Sequence, residues 1–160
     1  MTDEDLDTIV ATLVQSGDRV RARSMAVPAT RWDEIVHTGD GPWTRRQLLA
    51  HMAANDLRQL VRIRLGAGIA EPGDAEAHEL ELDTHTWNAA RVAERSRLAV
   101  PDLLAEMDRN RSALVALIGG LTQEQRSRLM PFRGVPTPLS EMVTGLTGHL
   151  ESHAEELTRP

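Results

Sequence analysis

The sequence predicts an all-α protein, an up-down four-helix bundle with short additional helices in its connections. Three observations predict it. Apolar residues recur at three- and four-residue spacing in four long stretches. No segment shows the period of two expected of a half-buried strand. Gly- and Pro-rich breaks separate the stretches. At 160 residues the chain suits a single domain, 1–160, that can bury most of the surface its unfolded form exposes.

The first helix is expected over residues 3–24, where Leu6, Ile9, Val10, Leu13 and Val20 share a face. Asp3, Glu4 and Asp5 fall in its first turn and favour the helix dipole. Pro28 and "HTGDGP" then interrupt the pattern, so a loop is expected from about Ser24 to Trp43, with His37 in it. Thr44 reads as an N-cap, and Gln47 completes a capping box. That helix runs to about Leu65, where "GAG" stops it. The stretch 66–82, which includes His78, reads as a surface loop.

"THTWNAARVAERSR" reads as a shorter, polar helix. Pro101 fits the first turn of a long helix over 101–118, with Leu104, Met107, Leu114, Val115 and Ile118 as its stripe. Gly119 and Gly120 end it, and Thr122 with Gln125 repeats the capping pattern for a short helix. Pro131, Gly134 and Pro136 mark another loop. The last helix starts near Thr137 and Pro138 and runs to about Leu157. Its stripe is Leu139, Met142, Val143, Leu146, Leu150 and Leu157.

Composition narrows the function classes. The net charge of -6 argues against a general nucleic-acid or membrane-surface binder. Three tryptophans and one phenylalanine give little to stack bases on. With no cysteine, thiolate metal ligation and cysteine nucleophiles are impossible, and any thiol chemistry needs a thiol from outside. No apolar run approaches the roughly 20 residues of a membrane span. The acidic start "MTDEDLDTIV" has no signal-peptide layout, so the cytoplasm is the expected compartment.

"GHLESHAEEL" holds the sharpest chemical signal. His149 and His153 are one helical turn apart and share a face at the edge of the apolar stripe. His51, between Leu48 and Asn55 on the second helix, also leans inward. Three imidazoles with coordination positions left open make a catalytic-type zinc arrangement. Nickel or ferrous iron suits the same donors. The competing reading is core-edge histidines hydrogen-bonded to their neighbours. "HLESH" is not the zinc-protease HExxH, because its glutamate stands third in the run rather than second.

Around this set, Asn55 lies one turn beyond His51 and is a candidate to contact a ligand. Asp56 is less well aligned and reads as a solvated residue, and Glu151 as surface charge. His85 and Asn88, with Trp87 between them, are candidates for a substrate wall. Arg111 falls in the middle of an apolar stripe and needs an anion. A ligand carboxylate, an internal Asp or Glu, or a stem that snorkels to water all meet that need.

The stretches "WTRRQLLAHMAAND" (43–56), "WNAARVAERS" (87–96), "VPDLLAEMDRNRSALVALI" (100–118) and "TPLSEMVTGLTGHLESHAEEL" (137–157) together resemble the DinB-like superfamily. They resemble most the branch similar to the metal-binding domain of mycothiol-dependent maleylpyruvate isomerase. The resemblance implies an up-down bundle holding one divalent metal on His51, His149 and His153, with zinc first and nickel or iron as alternatives. It implies thiol S-transferase-like chemistry on a small electrophile, with the metal as Lewis acid and a low-molecular-weight thiol such as mycothiol as cofactor. Its partners would be that thiol or another small molecule, and a second copy in a homodimer. The two-domain isomerase completes its site with a C-terminal domain, and this chain ends at Pro160, so isomerisation itself is not expected. The alternatives are a non-catalytic bundle that binds metal or a small molecule for sequestration or stress protection, a metal-hydroxide hydrolase, and a helical dimerisation module.

Overall fold

The structure is a computed structural model describing residues 3–39, 41–73, 80 and 82–160; the side chains of residues 3 and 4, and the expectations for Asp3, Glu4 and His78, lie outside the described residues. It is all-α in class, with four long helices. These are α1 (Asp3–Met25), α2 (Arg45–Gly66), α4 (Val100–Gly119) and α6 (Leu139–Thr158), joined by the shorter α3 (Thr84–Arg95) and α5 (Gln123–Ser127). No helix among the described residues is long and apolar enough to cross a membrane.

The helix starts follow local chemistry. The Thr44 hydroxyl accepts from the Gln47 N–H, and the Gln47 side chain accepts from the Thr44 N–H, so two orphan donors are satisfied. Thr122 and Gln125 do the same for α5. Asp83 caps α3 by accepting from the Thr86 N–H. Pro101 sits in the first turn of α4, where its missing N–H costs nothing.

Helices α1 and α2 each pack against α4 and α6. The pairs α1/α2 and α4/α6 therefore occupy opposite corners, while the consecutive α2 and α4 are neighbours. Arg19 and Arg23 of α1 pair with Glu151 and Glu155 of α6, so these two helices run parallel. Arg46 reaches Leu98 just before α4, while Asn110 and Arg111 reach Ala53 and Asp56, so α2 and α4 are parallel too. Arg45 meets Leu157 whereas His51 meets His149, so α2 and α6 are antiparallel. The directions thus run up, down, down, up, rather than alternating strictly. The cause is the long connection containing α3, which carries the chain back to the end where α2 began.

Two short hairpins replace parts of the expected loops. β1 (Ile35–His37) pairs with β2 (Trp43–Thr44), and β3 (Met130–Phe132) with β4 (Val135–Thr137), both antiparallel. Strands of two or three residues are too short to display a period of two, which is why the sequence reads there as loop. Arg133 (φ 52) and Gly134 (φ 78) make the left-handed two-residue turn that matches strand twist. Pro131 and Pro136 face each other in the middle rung, where two edge strands need neither N–H.

The core runs along the bundle through Leu13, Leu48, Met52, Leu103, Leu114, Leu146 and Leu150, all almost fully buried. Two close approaches tie the second hairpin to it. A Cβ at Gly66 would stand 2.9 Å from the Met130 Cα, and one at Gly145 would stand 2.9 Å from the Phe132 ring. Arg45, 2% exposed, closes the far end. Its Nε donates to the Leu157 carbonyl at 2.9 Å and its Nη2 to the Arg159 carbonyl at 2.8 Å, so α2 caps the last turn of α6.

Candidate metal centre

Antiparallel packing of α2 on α6 brings His51 against His149 and His153. Their rings make edge contacts, with centroids 5.6 Å (51–149), 5.1 Å (51–153) and 4.4 Å (149–153) apart. One ring nitrogen from each lies within 4.8 Å of the others. His51 and His153 are buried and His149 is half-buried. The three residues read from the sequence as one set are therefore one cluster.

The donor spacing suits a cation. The Nε2 atoms of His51 and His149 are 3.3 Å apart. Two nitrogens bound to one zinc at about 2.0–2.1 Å with a tetrahedral angle stand about 3.3–3.4 Å apart. Two facing lone pairs repel unless one ring carries a hydrogen toward the other or a cation lies between them. The Nδ1 of His51 is buried and makes no hydrogen bond among the described residues. Burial pushes the His51 pKa well below its ordinary value, and repulsion from His153, His149 and His37 adds to this. His51 is thus a neutral imidazole, the form a metal ligand must take.

A second layer was not read from the sequence. The Glu156 carboxylate sets one oxygen 2.6 Å from His37 Nδ1 and the other 3.6 Å from His153 Nδ1. His37 stacks on Trp43 at 5.1 Å, and Trp43 lies 5.3 Å from the His51 ring. His37 is therefore a strand residue at the back of the cluster rather than a loop residue. Glu156 was findable, since it lies one turn after His153 on the same helix. His37 was not, because a tight hairpin brings it there.

A cavity of about 440 Å³ opens on the other side of His51 and His149. Asn55 and Asn88 both line it, together with Trp87. Asn55 accepts from the Gln59 amide at 3.3 Å. Arg58, Arg62 and Arg133 also line it, and nothing in the sequence singled them out. His85 is exposed and does not line this cavity, because the face of α3 turned to α2 carries Trp87, Asn88 and Val92.

Of the three ways open to Arg111, the structure shows the internal carboxylate and not the substrate-binding role. Arg111 is not on the cavity wall. Its Nε donates to Asp56 Oδ2 at 2.7 Å, its Nη2 to Oδ1 at 3.3 Å and its Nη1 to the Leu13 carbonyl at 3.1 Å. Asp56, expected in solvent, is 1% exposed because Arg111 supplies its counter-charge. Burial raises the Asp56 pKa, with Arg111 opposing. Glu151 lies on the surface in a pair with Arg19 at 2.6 Å.

The fold and the cluster together define a class: helical bundles with a three-histidine centre set between two antiparallel helices. A family model described as the DinB superfamily matches residues 12–157, and the chain belongs to that superfamily. Two solved structures share the fold. The crystal structure of mycothiol-dependent maleylpyruvate isomerase aligns with a TM-score of 0.74 at 19% identity, covering 99% of this chain and 63% of that one. A histidine-to-alanine mutant of the same enzyme aligns at 0.73 and 19%, covering 100% and 64%. The chain thus spans less than two thirds of their length. No functionally curated protein sequence matches it.

Proposed function

We propose that this protein is a metal-dependent enzyme that uses an external low-molecular-weight thiol, such as mycothiol, against a small electrophile. The observation that carries the reading is the convergence of His51, His149 and His153 within 4.8 Å beside a cavity of about 440 Å³. The three histidines would hold one divalent ion, zinc first, with nickel or iron as alternatives. When bound, such an ion supplies Lewis acidity and lowers the pKa of a thiol or water beside it.

The chain's own residues supply the rest. Glu156 steadies His153 from behind, and Trp43 covers the outer face of His51. Asn55 and Asn88 offer amides to a ligand in the cavity, and Trp87 gives it a flat apolar wall. With no cysteine in the chain, the sulfur must come from the cofactor. From the structurally similar isomerase we carry over dependence on a thiol, and not its substrate. A homodimer, expected from the resemblance, belongs to the same proposal and is tested by sizing the metal-loaded protein.

The test has two stages. Purified wild type should carry about one divalent ion per chain by elemental analysis, and the His149→Ala/His153→Ala variant almost none at unchanged helicity. Equal, negligible metal in both would remove the basis of the reading. Loaded protein with mycothiol and a panel of electrophiles should then give metal-dependent thiol consumption. Metal without turnover across the panel would leave a sequestering bundle in place of an enzyme.

A further inference from the structure

Arg58, Arg62 and Arg133 all line the cavity that adjoins His51 and His149. Elsewhere several buried or half-buried arginines have carboxylate partners: Arg45 has Glu34, Arg95 has Glu106 and Arg111 has Asp56. Arg62 and Arg133 form no ion pair among the described residues. Among the described residues the one hydrogen bond of the Arg62 guanidinium goes to a neutral amide, Gln59 Oε1, at 3.0 Å. Asp83, a carboxylate on the cavity wall, is engaged by the backbone N–H and hydroxyl of Thr86 at the start of α3.

Both cations flank one ring. The Arg62 guanidinium lies 5.7 Å from the Phe132 centroid, and that of Arg133 lies 5.2 Å from it. The ring is seated against Gly145, where any Cβ would collide with it. Arg133 holds this place at φ 52, a left-handed conformation that glycine or asparagine usually takes. Burial, together with repulsion from Arg58 and Arg133, lowers the Arg62 pKa to about 10, so it stays charged at neutral pH. Like charges gathered at a strained turn cost free energy in the absence of an anion.

We propose that this cavity binds a small organic oxyanion, with Arg62 and Arg133 as its recognition residues and its reactive end directed at the histidine cluster. Guanidinium forks match carboxylate and phosphate geometry alike. The volume suits a small molecule. The inference deepens the function proposed above and rests on it for what the ligand is for. The binding itself does not depend on a metal.

The test is equilibrium titration of EDTA-treated protein with succinate, methylphosphonate and neutral succinamide, read by calorimetry and by intrinsic tryptophan fluorescence. Saturable binding of either anion, with none of succinamide, is expected. A preference for methylphosphonate assigns the site to phosphate-type ligands, and a preference for succinate assigns it to carboxylates. Arg133→Gln, at an exposed turn, should weaken binding about tenfold or more, and Arg62→Gln likewise. Both variants should still take up zinc at the wild-type ratio. His153 does not line the cavity, so His153→Ala should lose zinc yet keep anion binding. That pattern separates failure of the metal reading from failure of this one. Binding that survives both arginine substitutions, or that appears only with zinc present, overturns the proposal, as does absence of binding by both anions.

Discussion

Arg111 of α4 grips Asp56 of α2 at 2.7 Å inside the bundle, and its Nη1 reaches on to the Leu13 carbonyl of α1 at 3.1 Å. One guanidinium therefore fastens three helices at mid-height. Gly17 makes room for it, since a Cβ there would lie 3.3 Å from the Arg111 Cγ. Removing either charge strands the other in the core. Arg111→Met and Asp56→Leu should each cost about 3–5 kcal/mol in urea unfolding, and the double variant should recover most of that loss. Additive losses would show that the two groups do not act as a pair.

Glu156 bridges His37 and His153 behind the cluster. Carboxylates in that position raise ligand basicity and fix ring orientation. Glu156→Gln should weaken zinc binding by about 10–100-fold in a chelator competition, with little change in thermal midpoint. Unchanged zinc affinity would reduce Glu156 to a surface partner of His37.

These two sites show what a sequence can and cannot announce. The capping boxes at Thr44 and Thr122 were legible because each needs only four consecutive residues. The His51, His149 and His153 set was legible because helical spacing fixes which face a residue takes. Asp56 was misread because burial of a carboxylate depends on a partner 55 residues away. His37 and Arg133 were invisible as site residues, since short hairpins rather than periodicity place them. The parallel run of α2 and α4 was hidden because periodicity carries no information on helix direction.

The last turn of α2, where Gly66 meets Met130 of the second hairpin, also bears on stability. Gly66→Ala would press a methyl into the Met130 side chain and backbone. Thermal unfolding should show a loss of about 1–3 kcal/mol, with metal content unchanged because the histidines lie away from the contact.

Acid should loosen the α1–α6 seam. Glu151 has its pKa lowered, first by the hydrogen bond from Arg19, with desolvation opposing. Its folded value lies below the unfolded one of about 4.3. The contribution is therefore complete above that pH and disappears as pH falls through the lower folded value. Because the pair is partly exposed, Glu151→Gln should remove only about 0.2–1 kcal/mol at pH 7. It should also flatten the acid limb of a stability profile measured between about pH 5 and pH 2.

The β3–β4 ribbon carries Phe132 and Arg133 to the mouth of the cavity, and its turn, Arg133 and Gly134, is exposed. The vestibule and the bundle are thus separable parts of one molecule. Exchanging a few residues at this turn would alter which guests are admitted and leave the imidazoles undisturbed.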